Sequence, residues 1–193
     1  MKRVCVFCGS STGNKREYVE HAEALGQLLA KRNIALVYGG GHVGLMGVVA
    51  DAVLAAGGEA IGVIPQALAD REIAHSGLTD LHVVDSMHTR KALMADLSDA
   101  FIAMPGGVGT FEEIFEAITW TQLGVHRKPC GFLNAAAFYT PLITFIDQAV
   151  SEGFIKPVHR KMIVVDDNPE RLLDTMAEIR LPEVPKWIRP EET

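Results

Sequence analysis

The chain is short of what builds a secreted, metal-bound or membrane-embedded protein. It has only three cysteines in 193 residues, an odd count that supplies no disulfide framework. Cys5 and Cys8 form a CxxC, yet they fall in an apolar run of strand character, where residues three apart point to opposite faces. They read as buried thiols rather than as a redox or zinc pair. None of the seven histidines stands in an HExxH or HxH pattern, so no metal site is expected. No apolar run approaches the ~20 residues of a membrane helix. The first residues have the pattern of a strand rather than a signal peptide, which points to a cytoplasmic protein. Basic residues are also in deficit, 18 against 24 acidic ones for a net charge of −6. That balance argues against a general nucleic-acid-binding surface, so any attraction for phosphate has to be local.

What is present is an ordinary globular composition, 48% apolar and 22% charged, in a length that suits one domain with a sizeable core. Neither a repeat nor a linker divides it. One domain is expected over residues 1–181, with residues 182–193, which include three prolines, as an irregular tail. Short, mostly apolar runs at 4–8, 34–38, 60–64, 81–84, 101–104, 129–133 and 163–165 alternate with helical patterns such as 16–32, 86–97, 138–150 and 169–179. Apolar runs of this kind suit parallel strands covered on both faces. The expected fold is therefore α/β, a Rossmann-like doubly wound parallel sheet with ligand at the strands' carboxyl ends. Residues 65–80 read as an irregular connection at such an end.

The most informative stretch is residues 100–120, AFIAMPGGVGTFEEIFEAITW. A strand stops at Pro105, Gly106, Gly107 and Gly109 follow, and a helical pattern opens at Thr110. Strand, glycine loop and helix together turn backbone N–H groups and a positive helix end toward an anion. Thr110 and Glu113 fit a capping box, in which Thr110 caps the helix and Glu113 reaches back. Glu113 is thus either a capping glutamate or a carboxylate at the rim of a phosphate pocket. Phe111, Ile114, Phe115 and Ile118 fall at core-facing spacing.

A second glycine loop spans residues 39–47, where Gly39, Gly41 and Gly44 satisfy GxGxxG. A dinucleotide reading is weak, because the loop follows the second strand and no acidic residue ends the next one. Tight helix packing and ligand contact both remain open. Arg90 shares a helix face with Leu93, Met94 and Leu97, either snorkelling past them or offering its planar fork to a phosphate or a sugar.

The segments PGGVGTFEE (105–113), MHTRK (87–91) and GGGHVGLMG (39–47) match PGGxGTxxE, MHxRK and GGGxxGLMG of the Lonely Guy family. The resemblance runs roughly from Val4 to Ile163. Members are described as cytokinin riboside 5′-monophosphate phosphoribohydrolases, once labelled putative lysine decarboxylases. The resemblance implies hydrolysis of the N-glycosidic bond of AMP or N6-prenylated AMP to free base and ribose 5-phosphate, without a cofactor, by a homodimer. It assigns catalysis to Arg90 and Glu113. Substrate binding falls to Glu72, Lys91, Gly106, Gly107, Val108, Gly109, Thr110, Phe111, Glu112 and Thr119, with Gly41 and Gly44 from the second loop. Glu72 as a lone loop glutamate would simply be solvated. Val108 departs from the tyrosine frequent at its position, which bears on side-chain contacts there but not on the loop's backbone. The alternative function is a non-catalytic nucleotide- or cofactor-binding carrier or sensor. The decarboxylase label would need a Schiff-base lysine with an acidic partner; Lys91 is the only motif lysine, and nothing marks the partner.

Overall fold

The computed structural model describes residues 1–70 and 74–182. Seven strands alternate with helices: β1 (Arg3–Phe7), α1 (Arg16–Lys31), β2 (Ala35–Tyr38), α2 (Gly44–Ala55), β3 (Ala60–Pro65), α3 (Gln66–Ala69), β4 (Asp80–Val84), α4 (Met87–Leu97), β5 (Ala100–Ala103), α5 (Val108–Leu123), β6 (Cys130–Leu133), α6 (Thr140–Ser151), α7 (Pro157–Arg160), β7 (Ile163–Asp166) and α8 (Pro169–Glu178). The strands form one parallel sheet in the order β4-β3-β2-β1-β5-β6-β7. This is the doubly wound sheet expected, and residues 163–165 do form its last edge strand.

Alternation along each strand sends successive side chains to opposite layers. Val4, Val6, Leu36 and Ile102 meet Leu25 and Leu29 of α1, Val49 and Val53 of α2, and Leu172 and Leu173 of α8. Cys5, Phe7, Val37, Phe101 and Phe132 meet Met94 of α4, Ile114 and Ile118 of α5, and Ile146 of α6. Each such aliphatic side chain, fully buried, contributes about 1.5–3 kcal/mol. Cys5 and Cys8 fall in opposite layers, and all three cysteines are free and buried.

Two helix starts are set by side chains. Ser86 Oγ accepts the Thr89 N–H at 3.0 Å ahead of α4. Asn168 Oδ1 accepts the N–H groups of Glu170 and Arg171 ahead of α8, the cap expected there. Helix α5 departs from expectation. It begins at Val108, with Gly107 extended and no side-chain cap, so Thr110 lies inside the helix and the predicted capping box does not form. The cause is packing: Thr110 is buried, and its hydroxyl fills the space where a Cβ on Gly106 would stand. Phe111 and Phe115 are only partly buried; Phe111 packs at a tilt on Phe138 and edge-on against Tyr139, and Phe115 packs at a tilt on Phe132. The connection expected to be irregular contains α3 and a single bridge between Ala74 and Gly41. Glu72 and residues 183–193 of the tail lie outside the described residues.

One core group outside these motifs sets a pH response. His126 Nδ1 accepts the Lys128 N–H at 3.3 Å, while Nε2 is buried without a hydrogen-bond partner among the described residues. Burial, and secondarily the charge of Lys128, pull this imidazole down to about 4. The unfolded chain therefore binds a proton, between the ordinary value and about 4, that the folded chain refuses. Stability from this residue is complete above pH ~6.5 and is lost as pH falls toward 4, by up to about 3 kcal/mol. Urea titrations at pH 7 and pH 4 should show that drop, and His126→Phe should flatten it.

Candidate active site

All seven strands end at one edge, and the winding reverses between β1 and β5, the crevice where open α/β sheets bind ligands. A cleft of about 430 Å³ opens there. Its walls come from four places: Gly9 and Ser10 after β1, Gly39 and Gly41 after β2, Arg90 of α4, and Gly107 to Thr110 with Glu113 of α5. Met46, Ile64, Leu68 and Met87 add an apolar side. A hollow of similar size, about 450 Å³, opens at the strands' amino ends, lined by Lys2, Arg3, Asn33 and Glu59 among others. It gathers neither helix N-termini nor buried charge, and we place the site at the carboxyl edge.

The centre of the cleft is an ion pair. Arg90 Nη1 donates to Glu113 Oε1 at 2.5 Å, with the two side chains only 9% and 11% exposed. Arg90 Nε also donates to the Val63 carbonyl at 3.1 Å, which fixes the plane of the fork. The arginine does not snorkel. Its remaining nitrogen lies against Gly39, where a Cβ would come within 2.3 Å of Nη2; a glycine is needed there so that backbone and guanidinium can share the space. Burial pushes the Glu113 carboxyl above its ordinary range, and the Arg90 charge and hydrogen bond work against that rise. Glu113 also stands in the second turn of α5, near the positive helix end. The first N–H groups of α5 have no intrahelical partner, and Gly107 offers no side chain to cap them. The cleft therefore presents anion-binding backbone in the same wall as a buried, arginine-held carboxylate.

The residues predicted from sequence separate into groups. Arg90, Glu113, Gly41, Gly107, Val108, Gly109 and Thr110 meet in the cleft wall. Gly106 lies behind them, beneath the Thr110 hydroxyl. Gly44 lies against the backbone of Ser10 and Ser11. Val108 is 82% exposed, so its side chain reaches past the cleft toward solvent. Four others are engaged elsewhere. Phe111 is in the aromatic cluster, Thr119 donates to the Phe115 carbonyl of its own helix, and Lys91 is bound to Glu112 and Glu116. Sequence reading missed Ser10, Gly39 as a neighbour of Arg90, and the apolar side. The missing signal is strand order: only with β1 beside β5 does the turn after β1 face the α5 loop. Among the described residues, no group of three or more His, Cys, Asp or Glu is arranged to hold a metal ion. Nor is any helix among them long and apolar enough to cross a membrane.

Known proteins share this sequence and this fold. The profile of a family described as possible lysine decarboxylase matches residues 46–176. The cytokinin riboside 5′-monophosphate phosphoribohydrolase LOG2 of Arabidopsis thaliana is 52% identical over 177 residues, covering 92% of this chain and 83% of that protein. The cytokinin riboside 5′-monophosphate phosphoribohydrolase of Rhodococcoides fascians is 51% identical over 182 residues, covering 94% and 90%. Among solved structures, the molybdenum cofactor binding protein of Rippkaea orientalis superimposes with a TM-score of 0.69 at 20% identity, over 92% of this chain and 96% of that one. The molybdenum cofactor carrier protein of Chlamydomonas reinhardtii gives 0.65 at 19% identity, over 89% and 98%. The second pair shares the fold; the first shares the sequence over nearly its whole length. The chain belongs to the Lonely Guy family, the family of that profile and of those phosphoribohydrolases.

Proposed function

We propose that the protein is a phosphoribohydrolase that cleaves the N-glycosidic bond of N6-prenylated adenosine 5′-monophosphates, releasing the free base and ribose 5-phosphate. The observation that carries this reading is the buried Arg90–Glu113 pair beside the uncapped start of α5. A 5′-phosphate suits the backbone N–H groups of α5. The ribose then lies over Glu113, and the base extends toward Met46, Ile64, Leu68 and Met87. An apolar side of that kind suits a prenyl substituent on N6.

The chemistry follows from the bond. As C1′–N9 breaks, the sugar develops oxocarbenium character, the bonding pair leaves with the base, and water closes the C1′–O bond. The base takes one proton, and the water that attacked gives one up. An ionised Glu113 serves this step by stabilising the cation or by receiving the water's proton. Arg90 keeps that carboxylate in place. Lys91 does not suit the Schiff base that the older decarboxylase description would require, because its ammonium is held by two carboxylates.

A non-catalytic carrier is the weaker reading. The relatives above 50% identity are named as phosphoribohydrolases, whereas the carrier proteins share the fold at 19–20% identity. The reading includes a homodimer and a cytoplasmic setting, where nucleotide substrates occur. Light scattering that finds an active monomer would remove the dimer from it. Turnover itself is tested by following base release by chromatography.

A further inference from the structure

Beside the Arg90–Glu113 pair runs a second set of contacts that the proposed reaction does not use. Lys91, next to Arg90 on α4, reaches α5 at Glu112 (2.5 Å) and Glu116 (3.0 Å), with its side chain only 16% exposed. These two carboxylates flank Glu113 on the helix, one residue before it and three after. Lys91 and Glu116 border a small void with Phe7, Phe101 and Trp120, behind Glu113 as seen from the cleft. Neighbouring residues of one helix thus grip neighbouring residues of the other, on either side of the catalytic carboxylate.

Taking the proposed function as its basis, we infer that Lys91 is a positioning residue: it docks α4 on α5 in the register at which Arg90 meets Glu113, and it neutralises Glu112 and Glu116 so that Glu113 stays ionised. The charged and titratable groups around Glu113 agree with this role. From α4 come Arg90 and Lys91, both favouring its ionised form; from α5 comes Glu112, opposing it. From the β1 side come Cys5 and the nearby Cys8, thiols that burial keeps protonated. Without Lys91, two unpaired carboxylates would stand beside Glu113, and its proton affinity would rise. Helix register would also loosen, and a misplacement of about 1 Å at a reacting group costs roughly 10²-fold in rate.

The test is Lys91→Met beside Lys91→Arg, with base release measured across pH. Lys91→Met should lower kcat about 10–100-fold with KM little changed, and should move the acid limb of kcat to higher pH. Lys91→Arg should recover most of the loss. The triple variant Lys91→Met/Glu112→Gln/Glu116→Gln should bring the acid limb back toward wild type, because the charges that Lys91 offsets are gone. A raised KM with kcat intact, or no recovery of the acid limb in the triple variant, would instead make Lys91 a substrate contact and overturn the inference. Carboxyl NMR of Glu113, identified by its loss in Glu113→Gln, reads the same effect without substrate. Its midpoint should rise in Lys91→Met and return in Lys91→Arg, and an unmoved midpoint would count against the role. If wild type releases no base, the proposed function fails while this titration still decides on Lys91.

Discussion

Glu113→Gln should lower the rate of base release about 10²–10⁴-fold, the range for losing one positioned acid–base or charge-stabilising group. The amide keeps the shape of the side chain and can still accept from Arg90, so the protein should remain folded. What it loses is the negative charge that the proposed reaction sets against the oxocarbenium sugar. Arg90→Ala reaches the same chemistry from the other side and costs stability too. It leaves a carboxylate that is 11% exposed without its partner, a loss of about 3–5 kcal/mol for a buried pair, or else Glu113 takes up a proton. Arg90→Lys should not rescue it, since one ammonium cannot reproduce a fork that serves both Val63 and Glu113. The wild-type pH profile has a sign as well. Burial raises the Glu113 carboxyl above its ordinary value, so activity should fall on the acid side at a pH above that of a free glutamate. Steady-state kinetics over pH, with thermal melting as the control for folding, read all of these together.

A loss of stability of comparable size should come from Gly44→Ala. Gly44 has φ of +58°, and a Cβ on it would lie 2.2 Å from the Ser10 carbonyl carbon and 2.3 Å from the Ser11 nitrogen. Those are backbone atoms, which cannot swing aside as a side-chain tip can. The next residue, Leu45, donates its N–H to the Gly9 carbonyl at 3.0 Å, so the start of α2 is stitched to the turn after β1. Left-handed backbone for alanine and forced separation of two loops together should cost about 3 kcal/mol or more. The same separation pulls the Ser10 and Gly41 walls of the cleft apart, and KM should rise in whatever fraction stays folded. Gly107→Ala is the contrast. A Cβ there meets nothing within 4 Å, and urea unfolding should place it within about 0.5 kcal/mol of wild type.

The difference between those two glycines marks how far the sequence could be read. Alternating apolar runs and glycine turns suffice for a doubly wound sheet, because continuous hydrophobicity over four or five residues has few other uses. The glycine loop before α5 and the grouping of Arg90 with Glu113 in one site were legible through motifs, but whether Arg90 would face Glu113 or a ribose phosphate was not. The helix start was not, because the capping pattern at Thr110 competes with burial of its hydroxyl over Gly106, a tertiary contact invisible in local spacing. Glu113 in particular has the spacing of a solvated cap, and only the approach of α4 turns it into a buried partner of Arg90. Lys91 illustrates the opposite limit. The resemblance assigns the motif lysine next to Arg90 to the substrate, while one residue along a helix is about 100° of rotation. That rotation takes Lys91 out of the cleft and onto Glu112 and Glu116.

Cleavage of a nucleotide's glycosidic bond is the proposed work of the buried pair at the start of α5. Its most direct test is base release from N6-isopentenyl-AMP, from AMP and from the corresponding riboside lacking phosphate, with wild type and Glu113→Gln side by side. Release should be fastest from the prenylated monophosphate, slight from the riboside, and almost absent from every substrate with Glu113→Gln. Release that continues undiminished in Glu113→Gln, or tight nucleotide binding by wild type with no turnover, would contradict it.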